Sequence, residues 1–164
     1  MTGITDGWIG KKAGVVCGHM GDECGHDCDR RVRHPPGHSA VTPYEAFGGE
    51  AFVRSLCARF YVLMDTLPEA AECRAVHPPS LVRAEEKLFE YLTGWLGGPP
   101  LYTDKYGHPR LRQRHFVAPI GKAEVEGWLV CFHQAWSALA PTLPLADEIL
   151  AKIDGLGWHM ANRE

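Results

Sequence analysis

The sequence predicts an all-α protein, and three observations carry that prediction. Apolar residues recur three or four positions apart through four long stretches, which is the spacing of one helix face. No stretch alternates apolar and polar residues for more than a few positions, so a half-buried strand finds no support. Paired glycines and prolines fall between the periodic stretches, where helices stop and start.

The first stretch, GGEAFVRSLCARFYVLMDTLPEA, aligns Phe52, Leu56, Phe60, Leu63 and Leu67 on one face. Gly48-Gly49 precedes this helix and Pro68 closes it. The second face runs through Leu81, Ala84, Leu88, Tyr91 or Leu92, and Trp95, and stops at Gly97-Gly98-Pro99-Pro100. A polar stretch follows, LYTDKYGHPRLRQRHFVAP, read as a long non-helical connection with one or two helical turns around Pro109–His115. The third helix starts near Lys122 and buries Val125, Trp128 or Leu129, Phe132, Trp136 and Leu139 before Pro141. After Pro144 the last helix aligns Leu145, Ile149, Ile153, Leu156 and Met160, with Gly155 and Gly157 weakening its end. Four main helices and one short irregular helix are expected.

Residues 1–43 differ in kind. They are rich in Gly, His, Cys and Asp and show no sustained apolar period, and their basic and acidic residues cancel. A disordered extension over 1–43, ahead of a helical domain over 44–164, is the expectation.

Composition narrows the function classes. The chain has 164 residues, 45 % hydrophobic and 23 % charged, which is enough to build a core and argues against wholesale disorder. A formal net charge of −3 supplies no global field to recruit nucleic acid or anionic lipid. No apolar run approaches the roughly 18 residues of a membrane helix, and the first residues lack the apolar core of a signal peptide. A soluble, cytoplasmic protein is expected, in which the six cysteines stay reduced. The absence of C-x-x-C-H excludes c-type haem attachment.

The chemistry concentrates in the polar stretch, with Tyr102, His108, Arg110, Arg112, Arg114 and His115. Three readings are open: a solvated basic turn, a patch for phosphate or nucleic acid, or a porphyrin site. The last needs an imidazole for iron, cations near propionates and apolar walls.

The strings YEAFGGEAF, RFY, AVHPP, AEEKLFEYLTGWLGGPPLY, KYGHPRLRQRHFVAPIG and WLVCF resemble a truncated haemoglobin of group II. The match runs from about Tyr44 to the C-terminus and leaves 1–43 uncovered. The resemblance implies a two-over-two helical sandwich around one non-covalent haem b. It implies His115 as the proximal iron ligand, and Tyr61, Trp128 and His77 as distal donors to a bound diatomic ligand. Arg114 and Tyr102 match positions that contact haem propionates, and Arg112 is a candidate for the same task. Ala84 and Leu88 stand where no side chain can donate, and Tyr91 and Leu92 line the distal pocket with them. Phe60, Phe89, Phe116 and Phe132 are expected to wall the haem. No catalytic residue is assigned. In the extension, Cys17, His19, Cys24, His26 and Cys28 carry ligand types suited to zinc or copper, although their spacing fits no standard zinc pattern.

The function expected from the resemblance is reversible binding of dioxygen, and of nitric oxide or carbon monoxide. Several donors on one ligand predict slow oxygen release, better suited to chemistry or sensing than to transport. The alternative is an enzyme using the same site, for nitric oxide dioxygenation or peroxide reduction. It would need a separate reductase, because the chain lacks G-x-G-x-x-G. A colourless module that grips anions or nucleic acid through the arginines is the third reading. A monomer or weak homodimer, with no nucleic-acid or membrane partner, is expected.

Overall fold

The computed structural model describes residues 41–139 and 142–164, and the extension's Cys17, His19, Cys24, His26 and Cys28 lie outside them. Among the described residues every regular element is helical. In chain order these are α1 (Pro43–Phe47), α2 (Gly49–Thr66), a 3-10 turn (Pro68–Ala70), α3 (Ala71–Ala75), α4 (Val82–Trp95), α5 (Leu101–Tyr106), α6 (Leu111–His115), α7 (Lys122–Leu139) and α8 (Pro144–His159). None is long and apolar enough to cross a membrane.

The four predicted long helices are α2, α4, α7 and α8. They form two packed pairs, α2 with α4 and α7 with α8, joined by the contact of α2 with α7. Phe52, Val53, Leu56, Cys57, Phe60, Tyr61 and Met64 bury two adjacent columns of α2, so its inward face is wider than a single stripe. An aromatic ladder climbs α7 at four-residue steps. Trp128 stacks on Phe132 at 5.2 Å between ring centroids, and Phe132 on Trp136 at 6.0 Å. Phe47 and Phe52 meet the edge of Trp136 and tie α1 and α2 to that ladder.

Short helices outnumber the prediction, with α1, α3, α5 and α6 where one was expected. Elements of five or six residues are too brief for a 3.6-residue period to declare itself. Their starts are local: Thr42 and Glu45 form a reciprocal cap on α1, with the Glu45 amide donating to Thr42 Oγ1 at 3.2 Å and the Thr42 amide to Glu45 Oε2 at 3.0 Å. The expected non-helical connection after Pro100 contains α5 and α6, and the break between them falls at Gly107 (φ 71°) and Arg110 (φ 42°). At the earlier break, Gly48 ends α1 at φ 107°, a left-handed conformation that glycine adopts without steric cost.

On α4 the predicted stripe is not the most deeply buried face. Its most deeply buried residues are Phe89, Glu90, Leu92 and Thr93, whereas Leu81, Ala84, Leu88, Tyr91 and Trp95 are only partly covered by protein. The helix is apolar on two sides, and one of them lacks a full protein partner.

Candidate functional site

The half-open side of α4 marks the site. Its column, Leu81, Ala84, Leu88, Tyr91 and Trp95, steps by three or four residues and is what a helix presents to an apolar partner. Just after α6, Phe116 is 59 % exposed and Val117 is exposed too. Large apolar side chains left open on two segments suit a flat apolar ligand.

His115 is the last residue of α6. Its Nδ1 lies 2.7 Å from the Leu111 carbonyl, one turn earlier. A ring nitrogen at that distance from a carbonyl donates its proton, so Nε2 keeps the lone pair. The ring is solvent-exposed, and α6 has no buried side chain. This is the tautomer and accessibility that a metal ligand requires.

A second group gathers around Phe60, which is fully buried between α2 and α7. The Phe60 ring stands edge-on to Tyr61 at 4.8 Å, and Trp128 lies 5.1 Å away. His77 lies 6.2 Å from the Tyr61 ring, and its Nδ1 is 2.8 Å from the Cys73 carbonyl. Its Nε2 therefore keeps the lone pair, so the neutral ring presents an acceptor rather than the donor expected of it from the sequence. Among the described residues neither the Tyr61 hydroxyl nor the Trp128 indole N–H enters a side-chain hydrogen bond, and neither is a sealed, unpartnered group of the core. Burial, helped by Cys57, Cys73 and Glu85, holds the Tyr61 phenol above its ordinary range, so it stays a proton donor at neutral pH. The arrangement brings together Tyr61, Trp128 and His77 from three elements far apart in sequence.

The remaining candidates divide. Ala84, Leu88 and Tyr91 lie on the half-open side of α4, while Leu92 is buried in the core. Phe132 is buried in the ladder, and Phe89 is buried under the Arg54 guanidinium, 3.7 Å above its ring. Tyr91 and Tyr102 meet edge to face at 6.1 Å beside a cavity of about 250 Å³ between α4 and α5. Arg114 leans toward Tyr102, 5.9 Å from its ring, while donating to the carbonyls of Pro109 (2.9 Å) and Tyr106 (3.2 Å). Arg112 points elsewhere, with Nη1 donating to the His159 carbonyl at 2.5 Å.

Sequence reasoning passed over several groups. The Leu111 and Cys73 carbonyls orient both imidazoles, yet a carbonyl is present whatever the side chain, so no residue pattern announces it. Glu90 is 1 % exposed, with one carboxylate oxygen held by Lys105 and the other without a partner. Its signal was an acid inside the apolar run LFEYL.

The residues fit a haem: a correctly tautomerised imidazole, apolar side chains left partly open on α4 and after α6, and a hydroxyl and an indole N–H outside the side-chain hydrogen bonds. Comparison with known proteins identifies the family. A family model described as bacterial-like globin matches residues 42–162. The group 2 truncated hemoglobin YjbI of Bacillus subtilis (strain 168) is 32 % identical over 127 residues, covering 77 % of this chain and 93 % of that protein. Among solved structures, the group II 2-on-2 hemoglobin from the plant pathogen Agrobacterium tumefaciens is 55 % identical. It superposes with a TM-score of 0.76 over 78 % of this chain and 99 % of its own. The truncated oxygen-avid haemoglobin from Bacillus subtilis is 32 % identical, with a TM-score of 0.67 over 74 % of this chain and 99 % of its own.

Proposed function

The chain belongs to the bacterial-like globins, with group 2 truncated haemoglobins as its relatives, and from that premise we propose that it binds one haem b through His115 and holds dioxygen reversibly with slow release. The haem, when bound, supplies a ferrous iron that takes diatomic ligands such as dioxygen, nitric oxide or carbon monoxide. The chain supplies the rest. The Leu111 carbonyl holds the His115 ring proton at Nδ1 and directs the Nε2 lone pair outward. Tyr61 and Trp128 bring a hydroxyl and an indole N–H that enter no side-chain hydrogen bond among the described residues, while neutral His77, beside Tyr61, offers an acceptor at Nε2 rather than a donor. Donors already oriented in a site with little water are worth more to a ligand that gains negative charge than the same donors in water. Slow release is supported further by the likeness to the Bacillus subtilis haemoglobin described as oxygen-avid. Arg114, braced by two carbonyls next to Tyr102, is the residue suited to a propionate. Arg112 would contribute there only through N–H groups that the His159 carbonyl leaves free.

The observation that carries this reading is the His115 ring, exposed and tautomerically committed at the end of a short helix. Its test is the visible absorption spectrum of the purified chain, as isolated, after dithionite and then after carbon monoxide, beside His115→Ala. A Soret band that shifts with carbon monoxide and is lost or altered in the variant is expected. A colourless chain that also refuses added haemin would overturn the reading.

A further inference from the structure

Helix α6 is a poor platform for an iron ligand when taken alone. It has five residues, none buried, and a helix so short has no stability of its own in water. What holds it comes from the end of the chain. Arg112, three residues before His115, donates to the carbonyl of His159 at the close of α8. Asn162 then makes three side-chain hydrogen bonds to the segment that leaves α6. Its Nδ2 donates to the carbonyls of His115 (3.2 Å) and Ala118 (3.0 Å), and its Oδ1 accepts from the Ile120 amide at 3.1 Å. The Asn162 and Arg163 amides both donate to the Ile120 carbonyl, at 2.8 and 3.0 Å.

We propose that Asn162 is a positioning residue for the proximal ligand: its amide pins the backbone of His115 and the following turn, and so sets the pose in which the imidazole meets the haem iron. The inference rests on the haem reading given above. An amide side chain suits the task because it offers two donors and an acceptor in one plane, matching two carbonyls and one N–H. Aspartate has the same shape but no donor. Asn162→Asp therefore keeps the acceptor for Ile120 and turns both carbonyl contacts into repulsion. Asn162 lies outside the apolar core, so the variant is expected to keep its helicity.

The test uses the full chain and Asn162→Asp with two readouts. Hydrogen exchange without haemin reads the clip itself. Amides in 111–120 are expected to exchange about tenfold faster in the variant, the scale of losing one or two net hydrogen bonds, with those of α2 and α7 unchanged. Resonance Raman of the haemin-loaded, dithionite-reduced protein reads the iron–histidine stretching band, which is expected to shift or broaden. Unchanged exchange in 111–120 would overturn the clip. Faster exchange with an iron–histidine band identical to that of the parent chain would overturn the positioning role. Failure of the parent chain to take up haemin would show as no band in either protein. That result would overturn both the haem reading and the positioning role, while exchange would still report separately on the hydrogen bonds.

Discussion

One atom separates two accounts of Tyr61. If the residue only fills the core, removing its hydroxyl leaves ligand kinetics alone, whereas a donor to a partly anionic ligand costs far more when lost. Burial keeps the phenol protonated at neutral pH, and its hydroxyl enters no side-chain hydrogen bond among the described residues, so it is available. Tyr61→Phe is expected to speed oxygen release from the reduced haem protein by roughly ten- to a hundredfold, the range for a hydrogen bond to a charged acceptor. Stopped-flow dissociation measures it, and an unchanged rate would assign the residue to packing with Phe60. Glu90 presents a different case. Its carboxylate is buried, and its cationic partner Lys105 reaches in from a mostly exposed position. Removing the cation alone strands a charge inside, while removing both ends replaces a costly pair with apolar packing. Lys105→Met should lower the denaturation midpoint more than the double variant Glu90→Leu/Lys105→Met, and the reverse order would mean that solvent already neutralises the carboxylate.

The elements that carry Trp128 and His77 meet at Gly127. A Cβ there would sit 2.9 Å from the Glu69 carbonyl oxygen and 3.2 Å from Cys73 Cβ, so α7 presses directly on the 3-10 turn and α3. Because the Cys73 carbonyl orients His77, pushing α3 away moves His77 as well. Gly127→Ala is expected to cost about 1–3 kcal/mol by overpacking and to broaden the infrared stretch of bound carbon monoxide. A sharp, unshifted band would show that α3 gives way without carrying His77. Elements of this kind explain what was legible in the sequence. The long helices α2, α4, α7 and α8 repeat their apolar period often enough to be read, and the strings around His115 and Tyr61 carried the family resemblance that named the candidate site. The short helices were not readable, since five residues hold barely more than one turn. Nor was the outward aim of Arg112, because the carbonyl it meets belongs to His159, 47 positions later. How far protein covers the α4 stripe was not legible, because periodicity reports an apolar face and not what packs on it.

At the scale of the whole molecule, the core carries an unusual load of protonated acids. Burial pushes the thiols of Cys57 and Cys73 up to about 12 and that of Cys131 to about 11, from an ordinary 9.0. Tyr91 rises to about 12 from 10.0, and Tyr61 moves in the same direction. All five have folded-state values above their unfolded ones. Up to about pH 8 both states hold these protons, and the groups contribute almost no pH dependence. As pH rises past 9 the unfolded chain releases thiol protons that the folded chain keeps, and past 10 it releases the phenol protons too. Stability therefore falls with rising pH, at a slope approaching ~1.4 kcal/mol per pH unit for each group involved. Urea midpoints are expected to be insensitive to these groups from pH 7 to about 8, to begin falling toward 9 and to drop steeply from 9 to 11, with Cys73→Ala showing a shallower drop than the parent chain. A midpoint level to pH 11, or a slope indifferent to Cys73, would mean that the thiols ionise in place and that water reaches the space behind Tyr61. The same water would weaken any hydrogen bond that Tyr61 offers to a ligand, so alkaline stability and slow oxygen release should fail together.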